Sequence, residues 1–164
     1  MNLNTLRDVF HNQLKDAYSA EKQLADALPK MQQQASSPDL KQALQNHLGV
    51  TERHLETVRG ILDGMNVNPG STKCHAMAGL IEEGSHMATE DGDPDARDAG
   101  IICAAQKVEH YEIATYGTLR TWAQILGEQQ TADTLQRVLD EEYDADNKLD
   151  KLAQGYINQR AMQR

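Results

Sequence analysis

Gln106-Lys-Val-Glu-His-Tyr-Glu-Ile-Ala-Thr-Tyr-Gly-Thr-Leu119 reads as the middle of a long amphipathic helix. Heptad steps of three and four run through it along Ile102, Ala105, Glu109, Glu112, Tyr116, Leu119, Ala123 and Leu126. Two carboxylates stand on the stripe that should face the core. A glutamate is almost never buried without a partner. Either this helix meets a cation inside the protein, or its stripe faces water. The rest of the chain bears on that choice.

Working outward, each neighbouring segment has the same character. A helix over roughly 4–34 carries Phe10, Leu14, Ala17, Glu21, Leu24, Leu28 and Met31 on one stripe, with Pro29 expected to kink it near Ala25. Ser37 is a suitable N-cap and Pro38 a suitable first residue for the next helix, roughly 38–63. That helix carries Leu40, Leu44, His47, Thr51, His54, Val58, Ile61 and Met65, with Gly64 as the expected cap at its end. A loop over residues 65–71 and a short helix over about 72–90 follow. Asp91-Gly-Asp-Pro-Asp95 breaks the chain, with Asp95 as the expected cap of the organising helix over 96–126. A last helix over roughly 131–160 carries Leu135, Leu139, Glu142, Asp146, Leu149, Ala153 and Tyr156. Asp91, Asp93 and Asp95 have the spacing that opens a calcium loop, but Ala96 and Ile102 occupy its glycine and bidentate-glutamate positions.

Two helical hairpins joined by about 30 residues give the architecture, since that connection is long enough to run the length of a bundle. This predicts an all-α, ferritin-like four-helix bundle with one long crossover carrying a short fifth helix, in a single domain over 1–164. The formal net charge of -9 excludes nucleic acid as a natural partner. No apolar run approaches the ~20 residues of a membrane span, and the N-terminus lacks the apolar core of a signal peptide. A cytoplasmic protein is expected. Cys74 and Cys103 read as reduced thiols, Cys103 as a small core residue.

Every long helix places a carboxylate or histidine at mid-length on its apolar stripe. These are Glu21; His54; Glu109 and Glu112; and Glu142, with Asp146 depending on the phase of the stripe. Glu21 precedes His54 by 33 positions, and Glu109 precedes Glu142 by 33, so both hairpins bring their polar groups to one level. Hard oxygen ligands around two ions, with imidazole completing the shell, is the chemistry of a carboxylate-bridged iron or manganese pair. In a dinuclear site Glu109 or Glu112 would join Glu142 on one side and Glu21 would join His54 on the other. The usual Glu-x-x-His pattern is broken twice, in Thr51-Glu-Arg-His54 and in Glu142-Tyr-Asp-Ala145. His54 reads equally well as a ligand or as a core histidine. His47, two turns away, reads as a core histidine. Ion pairs with Lys22, Lys107 or Arg120 are the alternative for the glutamates.

Three stretches resemble a known group: Asp16-Ala-Tyr-Ser-Ala-Glu-Lys-Gln-Leu24, Ala78-Gly-Leu-Ile-Glu-Glu83 and the opening stretch. They resemble the YciE/YciF family of ferritin-like bacterial stress proteins across essentially the whole chain. The resemblance implies a rubrerythrin-like bundle, a homodimer and a role in stress, without an activity. Members often carry Glu at the position of Val50, which this sequence lacks. Two functions are therefore expected to compete. One is a metal-binding stress protein working on peroxide or ferrous iron. The other is a non-catalytic structural or interaction protein whose metal site is degenerate, as Val50, Thr51 and Ala145 would suggest. No catalytic triad or phosphate-binding glycine loop is present.

Overall fold

The computed structural model describes residues 3–163. Its helices are α1 (Leu6–Gln34), α2 (Pro38–Gly64), α3 (His75–Thr89), α4 (Pro94–Ile125) and α5 (Gln129–Leu152). A π-helical turn, Ala153–Ile157, and a last α-helical turn, Asn158–Met162, extend α5, where the sequence predicts an uninterrupted helix. No strand occurs among the described residues. The all-α bundle with a long crossover, bearing the short helix α3, is thus the observed fold.

Local chemistry fixes each helix end. Thr5 and Asp8 form a reciprocal capping box at the start of α1. Ser37 caps α2 with Pro38 in the first helical position, as expected. Two expected caps are displaced. Asp93, not Asp95, accepts from the first N–H groups of α4, because Pro94 then takes the first helical position. Gly64 still lies inside α2, and Asn66 instead adopts the left-handed conformation (φ 55°) that closes it. The Val67 N–H reaches back to the Leu62 carbonyl at 2.9 Å. Gly127, at φ 78°, closes α4 in the same way, with the Glu128 N–H on the Ala123 carbonyl at 2.9 Å. Pro29 lies inside a helix that continues through it to Gln34.

The core is divided. One apolar cluster gathers Leu24, Leu28, Leu44, Ile102, Val108 and Leu149 with their neighbours. The other gathers Phe10, Leu14, Val58, Tyr116, Leu119 and Leu139 with theirs. On every long helix the sequence passes from one cluster to the other through the polar residues singled out above. Helices α2 and α4 run from the first cluster to the second, and α1 and α5 run back. The polar groups therefore form a layer across the bundle, walled above and below by hydrocarbon. Cys103 departs from expectation and is exposed, one step off the stripe through Ile102 and Ala105.

Candidate metal centre

Glu21, Glu109, Glu112 and Glu142 are 1 % exposed or less. That burial removes the solvated-face reading. Lys22 is exposed, and Lys107 pairs instead with Glu83 on the surface. Among the described residues, the ion-pair partners of Glu21, Glu109 and Glu142 are the two histidines of α2.

The ligand-bearing atoms fall into two groups. His47, Glu109, Glu112 and Glu142 form one, and Glu21, His54 and Glu142 the other; within each, one atom from every residue lies within 4.8 Å of the rest. Glu142 belongs to both. His54 Nδ1 lies 2.9 Å from Glu142 Oε1 and 3.8 Å from Glu21 Oε1. His47 Nε2 lies 3.1 Å from Glu109 Oε1. The other ring nitrogen of His54, Nε2, meets Glu141 at 2.9 Å. Tyr116 donates its hydroxyl to Glu21, and its ring packs edge-on to His54 with centroids 6.2 Å apart.

The fit to a cation can be judged on hydrogen bonding. Both oxygens of Glu112, both of Glu142, and Oε2 of Glu21 and Glu109 are buried without a hydrogen-bond partner. So are both nitrogens of His47 and Nδ1 of His54. Such groups carry their full desolvation cost unless something binds them. Asp98 makes the contrast. It is equally buried, yet its two oxygens accept the Ser36 and Ser37 N–H groups at 2.7 and 2.6 Å, tying α4 to the turn between α1 and α2. A buried carboxylate with a structural task is satisfied in this protein. The central glutamates are left unsatisfied, and their donor set of hard oxygens and imidazole suits iron or manganese.

Electrostatics agree. Burial, and then the charge of Glu142, push Glu21 up to about 8. Burial and the same neighbour hold Glu109 and Glu112 well above the usual carboxylate range. Burial acts to lower His54, but Glu142, Glu21 and Glu141 outweigh it and raise the imidazole to about 9. Burial keeps His47 below its ordinary value, and so neutral, the form that ligates metals. Without a cation the layer holds protons where a metal would sit.

Of the residues expected at the site, the structure brings together Glu21, His54, Glu109, Glu112 and Glu142. Glu109 and Glu112 need not be chosen between, because both point inward. Asp146 is not in either group. It is half-buried and meets Gln106 Nε2 and His110 Nε2, each at 3.4 Å. His47 is the residue the sequence reading set aside, and it lies on Glu109. Its separation of one heptad from His54 put it on the same face, which was the available signal. The layer spans two turns of α2, so that distance along the helix did not remove it from the site. His47 and Glu112 both belong to the larger of the two groups.

A family model described as Domain of unknown function (DUF892) matches residues 5–162. The chain belongs to this family. It is 44 % identical to Protein YciF of Escherichia coli (strain K12), over 98 % of each chain. The crystal structure of the E. coli stress protein YciF matches with a TM-score of 0.91 and 43 % identity, covering 95 % of this chain and 99 % of that one. YcfI from Rhodopseudomonas palustris matches with a TM-score of 0.87 and 40 % identity, over 91 % of this chain and 95 % of that one. The resemblance read from the three sequence stretches is thereby established, and the bundle is the fold that these relatives share.

Proposed function

We propose that this DUF892 protein is a metal-binding stress protein whose layer of glutamates and histidines holds two iron or manganese ions and acts on peroxide or ferrous iron. The observation that supports this most is the set of six buried carboxylate oxygens without a hydrogen bond, converging from three helices beside two histidines of the fourth. Burying those groups ionised with no cation would cost several kcal/mol each. Ions of this class, when bound, supply one-electron redox changes and Lewis acidity.

The chain's own residues have distinguishable tasks. Glu142, common to both groups, would bridge. His47, Glu109 and Glu112 would hold one ion, and Glu21 and His54 the other. Glu141 accepts a hydrogen bond from His54 Nε2, which would leave Nδ1 for the centre. Tyr116 orients Glu21. The two apolar clusters wall the layer above and below. The stress role is carried over from YciF, and the homodimer and bacterial cytoplasm from the resemblance. No helix among the described residues is long and apolar enough to cross a membrane.

A second reading keeps the fold and loses the metal. Val50, Thr51 and Ala145 offer no ligand, and a polar layer by itself can fix helix register. Elemental mass spectrometry on protein purified without chelator or metal-affinity tag decides between them. About two iron or manganese ions per chain is expected for a centre of this class. No metal, even after anaerobic ferrous loading, would leave a structural stress protein.

A further inference from the structure

A groove of about 600 Å³ runs between α2 and α5. Spaces of ~300–1,000 Å³ are those that enclose small organic molecules. Its wall is hydrocarbon, with Leu24, Leu28, Leu44 and Leu149 among the lining side chains. Val50 and Ala145 also line it, and their short side chains leave it open.

The groove meets the polar layer on one side. His47 and Glu109 line it, whereas Glu21, His54, Glu112 and Glu142 do not. His47 is 13 % exposed, and neither of its ring nitrogens has a hydrogen-bond partner. Glu109 Oε2 is buried in the same condition. An unpartnered imidazole and an unpartnered carboxylate oxygen thus stand at the inner end of an apolar space. On the Glu21–His54 side, the Tyr116 ring and the apolar cluster around it fill the room instead. A molecule entering by the groove therefore reaches the larger ligand group and not the smaller.

The mouth carries no net charge. Asp39, Glu141 and Asp144 balance Arg53, Lys148 and Lys151. A charged ligand would find no excess of opposite charge there and would leave water for hydrocarbon. An uncharged molecule with an apolar body and a polar end suits both the wall and the inner end. Hydrogen peroxide needs no such space.

We infer that the groove takes an uncharged organic hydroperoxide, its hydrocarbon part against the leucine wall and its O–O end toward His47 and Glu109. The choice of a hydroperoxide among neutral amphiphiles rests on the peroxide reading above. The hydroperoxide takes one electron from each of two divalent ions, which become trivalent, and two protons from the solvent. Its O–O bond breaks, and one alcohol and one water molecule leave.

Two measurements test this. Calorimetry of metal-free protein with 2-phenyl-2-propanol, the inert alcohol of cumene hydroperoxide, reads the groove alone. Saturable binding is expected, weakened at least tenfold in Ala145→Phe, or in Val50→Phe should the first variant not fold. Stopped-flow oxidation of anaerobically ferrous-loaded protein reads the chemistry. One alcohol should form per two ferrous ions oxidised, and cumene hydroperoxide should half-saturate at least tenfold below hydrogen peroxide. The filled variant should lose that preference. Absence of alcohol binding, absence of the preference, or a preference that survives filling would overturn the inference, and the peroxide reading would stand if hydrogen peroxide still oxidised the bound iron. Protein that takes up no iron ends the metal reading and the substrate role together; alcohol binding in that protein separates this failure from a closed groove. A wild-type dimer that ignores the alcohol and becomes monomeric in Ala145→Phe would also overturn the inference, since a second copy would then occupy the groove.

Discussion

His54 Nδ1 and Glu142 Oε1 lie 2.9 Å apart without the alignment of a hydrogen bond. Two polar atoms at that distance ordinarily point at each other. Here neither makes a hydrogen bond, and His47 Nε2, 3.1 Å from Glu109 Oε1, likewise makes none. That is the geometry of donors converging on a third body, and it makes Glu142, common to both groups, the most informative residue to change.

Glu142→Gln should abolish binding of both ions, whereas Glu112→Gln should weaken one. Metal that binds only the native state stabilises it, by about 2.7 kcal/mol at a hundredfold excess over Kd. In the presence of metal both variants should therefore melt below wild type. In chelator Glu112→Gln should match or exceed wild type, because an amide is neutral without taking up a proton, whereas Glu142→Gln should stay below it, because it removes the carboxylate beside the His54 imidazolium. Elemental analysis and paired melting curves read both effects. A variant that melts above wild type under both conditions, with no change in metal, would identify an empty acidic layer.

The protonation state of the layer predicts opposite pH responses with and without metal. Glu21 in the native protein titrates at about 8, against 4.5 for the unperturbed group, and His54 at about 9, against 6.5. Between those limits the native state binds more protons than the unfolded chain, so stability falls as pH rises. The Glu21 contribution is complete below pH 4.5 and lost by about 8; that of His54 is complete below 6.5 and lost by about 9. Metal-free protein should show a urea midpoint that declines from about pH 6 to 9. With metal present the midpoint should rise over the lower part of that range, because binding displaces the same protons. A rising midpoint in chelator would contradict the assignment.

Asp98 supplies the control. Asp98→Ala leaves the buried Ser37 N–H without its acceptor and frees the turn between α1 and α2 from α4. A loss of about 2–4 kcal/mol is expected from the broken charge-assisted bonds. Metal content per folded chain should not change, since Asp98 lies outside both ligand groups. Urea unfolding and elemental analysis on one preparation separate the two quantities.

The sequence carried the fold because helical periodicity is local and strong here: the stripe from Ile102 to Ala123 is buried as read. It carried the inward glutamates for the same reason, since a charge at a core position of a heptad stands out against its neighbours. It did not carry Asp98, whose partners are backbone N–H groups 61 and 62 positions away. Nor could it rank His47. Whether a histidine on the right face reaches the layer depends on the relative height of α2 and α4, which packing sets. The displaced caps arose from close competitors, Asp93 against Asp95 and Asn66 against Gly64, where one residue decides. Cys103 was misplaced because it adjoins the stripe without being on it.

Tyr116 lets the two halves of the layer be separated. Its hydroxyl donates to Glu21, which belongs to the smaller group, and it touches none of His47, Glu109 or Glu112 in hydrogen bonding. Tyr116→Phe keeps the buried ring and removes only that donor. Loss of a partner that orients a ligand typically lowers metal affinity 10- to 100-fold. The weakening should fall on the Glu21–His54 side, so a titration at limiting metal should resolve into a tight ion and a loose one where wild type shows two of similar strength. Metal-free stability should fall by about 1–3 kcal/mol, because Glu21 is left without a donor in a buried site. Two ions weakened equally would mean that the layer responds as one unit through Glu142, and the division into two groups would then describe positions and not separable affinities.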